Sequence, residues 1–151
     1  MSFEERNTVI YLGVSLAVLV LFGSRIWAGT VDGSFDGPGG LTAWARAILW
    51  MLPLAIGLTI ASVIAGQIAY RVLTGERDMD IDGDERDTQV ALRANRITMA
   101  LFSLGWIGAI ALLASGATAL GALNLMLAAG WFADVAGNLA KLWLYRRGGW
   151  W

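Results

Sequence analysis

The sequence predicts an all-α protein, a bundle of four transmembrane helices. Both termini are expected in the cytoplasm, with an acidic cytoplasmic segment between helices two and three. Three observations carry this reading. Apolar residues make up 57% of the chain and charged residues only 15%, whereas a soluble domain carries about a quarter of its residues as charge. The apolar residues gather into four runs, each close to or above the ~20 residues that cross a hydrocarbon layer of ~30 Å. The polar residues gather instead into one stretch, Gly75 to Arg96 (GERDMDIDGDERDTQVALRANR), which holds seven of the twelve acidic residues.

The chain reads as a single integral membrane domain over residues 1–151, with spans at about 8–28, 44–71, 97–115 and 118–144. Ser2 and Glu5 have the spacing of a capping box for the first helix, in which the hydroxyl bonds a free N–H of the first turn. The run that follows is interrupted only by Arg25, near its far end, where a long side chain can reach the headgroups. The N-terminus, MSFEERN, lacks the positive n-region of a signal peptide, so this run is expected to stay as a helix.

Residues 29–40, GTVDGSFDGPGG, form a glycine-rich loop, and Thr42 is the expected cap of the second helix. That helix carries Pro53, where a kink is expected. It also carries a stripe of small residues, Gly57, Ala61, Ala65 and Ala69, which lets another helix approach closely. The cytoplasmic segment occupies residues 74–96, with the third helix starting near Asp84. The first three turns of that helix, through Arg96, are expected to stand in the cytoplasm or headgroups. A tight turn at Gly116-Ala117 leads to Thr118, the cap of the fourth helix, which ends at Arg146-Arg147.

The cations fix the expected orientation. Arg6, the five arginines Arg71, Arg77, Arg86, Arg93 and Arg96, and Lys141, Arg146 and Arg147 fall on one side; Arg25 and Arg46 fall on the other. The positive-inside rule counts Lys and Arg rather than net charge, so the acidic segment is placed in the cytoplasm despite its carboxylates.

Composition also excludes chemistry. The chain has neither cysteine nor histidine, which rules out disulfides, thiolate and imidazole metal sites, and histidine-based acid–base catalysis. No nucleophile–base constellation is visible, so no enzyme activity and no cofactor are expected. A net charge of −1 offers no basic footprint for direct contact with nucleic acid.

Asp84-Glu85-Arg86-Asp87, followed by Leu92-Arg93-Ala94-Asn95-Arg96-Ile97 opening an apolar helix, resembles a family of small bacterial multi-span membrane proteins of unknown function. Their signature is DERD or DERE just before a transmembrane helix. Thr88 and Gln89 stand where the family carries apolar residues. The resemblance implies a four-helix protein of the bacterial inner membrane. It also suggests a cytoplasmic protein partner, such as a helix-turn-helix regulator.

Three groups of residues could carry function. Asp78, Asp80 and Asp82, followed by Gly83, reproduce the first half of a calcium loop. The closing position holds Gln89 rather than a bidentate glutamate, so a metal site there is a weak candidate beside a solvated acidic linker. Asp84, Glu85, Arg86, Asp87 and Arg93 form a candidate partner-binding face, beside the plainer reading of acidic helix-capping residues and an interfacial arginine collar.

The third group is intramembrane. Asp134 lies within a span, where a carboxylate is costly and functional by default. Asn138, Lys141 and Tyr145 continue its stripe on the fourth helix. A hairpin about Gly116 sets Asp134 level with about Met99 and Asn138 level with about Asn95. The expected network is therefore an Asp134–Arg96 ion pair and an Asn95–Asn138 hydrogen bond, with Gln67 of the second helix joining them. Such a network is structural glue; the alternative is a proton- or ion-handling site.

The function these residues favour is regulatory or scaffolding, in which the 76–96 segment engages a cytoplasmic partner. The alternative is a small oligomeric transporter or channel that uses Asp134.

Overall fold

The structure, a computed structural model, describes residues 3–75 and 85–147. It is all-α, with α1 (Phe3–Val31), α2 (Gly40–Thr74), α3 (Glu85–Ala114) and α4 (Ala119–Arg146). All four helices are long and apolar enough to cross a membrane.

The first connection is shorter than the glycine content suggests. α1 continues to Val31 because Gly29 is buried against Phe35, where a Cβ would lie 2.4 Å from the ring. The chain then reverses through Gly33 and Gly37, at φ 77° and 75°, a region glycine enters at little cost. α2 starts at Gly40, before the expected cap Thr42, and its cap residue Gly39 offers no side chain. The reason is local. Gly40 folds against the Phe35 carbonyl oxygen, 1.8 Å from where a Cβ would sit, and its N–H donates to the Gly37 carbonyl at 3.1 Å. The helix is thus already wound when it reaches Thr42. It stays helical through Pro53 and ends at Gly75, whose N–H donates to the Arg71 carbonyl at 2.9 Å.

The second hairpin follows the expected chemistry. Gly116 takes φ 87°, and Thr118 caps α4 by accepting from the Gly121 N–H at 3.1 Å. Ser2, the expected cap of α1, lies outside the described residues.

The helices pack in the neighbour order α2–α1–α4–α3, with α3 against α4 the most extensive contact. Small residues explain that contact. A Cβ on Gly105 would lie 2.1 Å from the Ala129 methyl, and one on Gly137 would lie 1.9 Å from the Thr98 hydroxyl. Ala109 and Ala133 are both 1% exposed in the same seam. Missing side chains let two backbones approach, and dispersion then holds them where hydrocarbon gives no hydrophobic drive.

The stripe Gly57, Ala61, Ala65 and Ala69 of α2 behaves otherwise. It is exposed, and nothing lies within 4 Å of a Cβ on Gly57. α1 packs on the neighbouring face, where Ile10 covers Gly66. That choice follows the polar contacts: Asn7, Arg6 and Gln67 lie at the α1–α2 seam.

Candidate functional site

One face of α4 carries Asn124, Asp134, Asn138 and Lys141, and each of these except Asn138 bonds a residue of α1. Asn124 donates to the Thr30 hydroxyl at 3.2 Å and accepts from the Trp44 indole of α2 at 2.9 Å. Lys141 pairs with Glu4 at 3.0 Å. Between them Ser15 Oγ donates to the Asp134 carboxylate. Asn138 Nδ2 approaches the same carboxylate at 3.4 Å and donates to the Asp134 carbonyl at 3.0 Å. Asp134 and Ser15 lie near the middles of their helices, about 18 Å from the end of α4 at 1.5 Å per residue.

The expected partner Arg96 is not there. The hairpin register is as expected, since Thr98 meets Gly137 and Phe102 meets Gly130. The rotation about α3 is what differs. Ala94 and Thr98 face α4, and Arg96 stands two residues from both, about 200° round the helix. It points away from α4 and is exposed. Lys141–Glu4 is the one ion pair among the described residues. Asn95 and Asn138 line one cavity without bonding each other.

Gln67 joins a different network. It accepts from Arg6 at 2.8 Å and donates to Asn7, while Arg6 lies over the Tyr70 ring at 3.8 Å. This cluster ties α1 to α2 at the end that bears both termini. Register decides it: α1 and α2 are antiparallel, and the start of α1 is level with the last turns of α2.

Two cavities meet at Asp134. One, of about 540 Å³, lies on the α3 side and is lined by Glu4, Asp87, Asn95, Thr98, Asp134 and Asn138 among others. The other, of about 260 Å³, lies between α1, α2 and α4 and is lined by Tyr11, Ser15, Thr59, Trp131, Asp134 and Asn138 among others. Asp134 and Asn138 thus form a wall common to both. Among the described residues, neither lining includes an arginine or lysine. A carboxylate so placed can take up a proton or offer oxygens to a small cation, with the Ser15 hydroxyl and the Asn138 amide beside it.

The candidate partner-binding residues divide. Asp84, and the weak metal candidates Asp78, Asp80 and Asp82, lie outside the described residues. Glu85 is exposed at the start of α3. Arg86 donates to the Tyr145 carbonyl of α4 at 3.1 Å, and Asp87 faces the larger cavity. Arg93 is half-buried on the same helix.

Sequence reasoning missed Ser15, Asn7 and Asn124. Ser15 and Asn124 are lone polar residues in apolar stretches, whereas Asn7 sits within the polar run Glu4–Thr8; in each case the facing helix is needed to give the residue a partner. No protein-family model, curated protein or solved structure matches the chain.

Proposed function

We propose that this chain is a membrane protein that binds and passes a small cation, either a proton or a monovalent metal ion, with Asp134 as the accepting carboxylate. The observation that supports this most is the pairing of Asp134 with neutral donors, Ser15 and Asn138, at the wall shared by two cavities. A carboxylate locked in a buried ion pair has its charge compensated by a cationic side chain. One bonded by a hydroxyl and an amide has lone pairs left to offer a further partner. Four helices are few to enclose a path, so the working unit in this reading is an oligomer.

The test is flux into proteoliposomes, followed with a pH-sensitive dye and with sodium and potassium gradients. The wild type should carry one of these ions. Asp134→Asn should abolish the flux while leaving the thermal stability close to wild type. Absence of flux for all three ions would sink the proposal.

A second reading is regulatory or scaffolding. It draws on the polar first turns of α3, which begin at Glu85, about three turns before the apolar run from Ile97. Glu85, Thr88, Gln89 and Arg96 are exposed there, and the resemblance of residues 84–97 to the DERD-bearing family agrees. On this reading the chain sits in the bacterial inner membrane, and the 76–96 segment holds a cytoplasmic regulator. Crosslinked capture from native membranes tests it: a partner lost when the carboxylates of this segment are neutralised supports the scaffold.

A further inference from the structure

Another concave surface lies between α1 and α2, toward the loop that joins them, and shares no lining residue with the two cavities at Asp134. Its larger part, about 520 Å³, is lined by Leu21, Phe22, Trp50, Met51 and Leu54, with Arg25 as the one charged residue among those described. These walls face outward: Leu21, Trp50 and Leu54 are 57%, 75% and 61% exposed. The adjoining part, about 370 Å³, shares Arg25 and Met51 and adds Asp32, Ser34 and Phe35 at the rim.

Arg25 makes no hydrogen bond or ion pair with the described residues. A guanidinium in a span is costly unless something satisfies it. Asp32 lies seven residues further on, just past the end of α1, on the same face and about 10 Å along the axis. Its carboxylate accepts from the Ser34 N–H at 2.9 Å. Hydrogen bonds from Ser34 hold its pKa below the ordinary carboxylate value, which favours the anion.

We propose that this groove binds a zwitterionic phospholipid carrying a primary ammonium headgroup. One acyl chain lies on Leu21, Phe22, Met51 and Leu54, the phosphate meets Arg25, and the ammonium meets Asp32. Charge complementarity selects this occupant. A planar guanidinium matches phosphate oxygens with paired N–H donors, and the apolar wall begins at the same residue. A purely anionic headgroup would gain Arg25 but meet repulsion from Asp32. Trp50 stands at the groove edge, and an indole ring favours headgroup depth.

The experiment uses the full chain in nanodiscs holding equal amounts of phosphatidylethanolamine and phosphatidylglycerol with matched acyl chains. Lipid retained after gentle release is read by native mass spectrometry. The wild type should retain phosphatidylethanolamine several-fold over phosphatidylglycerol. Arg25→Gln should lose most of both, with an unchanged melting temperature, because Arg25 bonds no described residue. Asp32→Asn should keep lipid but lose the preference. Soluble glycerophosphoethanolamine, which has the headgroup without the chains, should not displace the lipid. Equal retention of the two lipids by the wild type, or retention unchanged in Arg25→Gln, means annular lipid only and overturns the proposal. Displacement by the soluble headgroup overturns the acyl-chain part.

Discussion

Ser15 of α1 donates its hydroxyl proton to the carboxylate of Asp134 on α4, near the middle of both helices. This bond joins the two hairpins within their apolar stretches. Its strength therefore separates the Ser15 pairing from the Arg96 pairing that register alone suggests.

A thermal-stability double-mutant cycle in detergent measures it. Ser15→Ala and Asp134→Ala, which removes the acceptor that Asn would keep, should couple by about 1 kcal/mol, within the range for hydrogen bonds between membrane helices. Arg96→Gln and Asp134→Asn should add, with coupling below about 0.5 kcal/mol, as for groups that share no partner. Strong coupling to Arg96 and none to Ser15 would reverse the assignment.

The α3–α4 seam should be the least tolerant of added volume. Gly137→Val puts methyl groups into the Thr98 side chain, and Gly105→Leu fills the space of Ala129. Each should cost about 1–3 kcal/mol or more, because a packed seam yields little. Gly57→Leu on α2 meets nothing within 4 Å and should be close to neutral. Denaturation of all three variants in one detergent checks the order; a Gly57 variant as damaged as Gly137 would place an unseen neighbour on α2.

Gln67 accepts from Arg6 and donates to Asn7, so replacing it takes a hydrogen bond from two polar groups at once. Gln67→Leu should destabilise by about 1–3 kcal/mol. Lys141→Ala removes a pair whose side chains are 17% and 36% exposed, and should cost about 1 kcal/mol or less, falling further in high salt. Chemical denaturation at low and high ionic strength tests both. A larger loss at Lys141 than at Gln67 would show that the ion pair rather than the amide cluster closes this end.

Orientation has its own measurement. Nine of the eleven cations fall on the side of the termini, so single cysteines at Ser34 and Thr118 should react with an impermeant reagent in intact cells. One at Asp82 should not. Labelling at Asp82 alone would invert the protein.

The sequence by itself determined the elements. Four apolar runs separated by glycine-bearing and polar segments, a threonine cap at Thr118 and a tight turn at Gly116 specify four helices, because these signals act within a few residues of themselves. It also determined the height of each residue in the α3–α4 hairpin: Asp134 does lie level with Met99, since a short turn and a fixed rise leave no freedom. The tertiary structure alone decided rotation. Each helix turns about 100° per residue, and its azimuth is set by what the neighbour can accommodate. Gly105, Ala129 and Gly137 turned α3 so that Arg96 faces outward, and the Asn7–Gln67 contact turned α2 so that its stripe from Gly57 to Ala69 faces outward too. Asp134 was therefore legible as an anomaly, but Ser15 as its partner was not. A polar residue in an apolar run announces a need for a partner, and only packing says which helix supplies it.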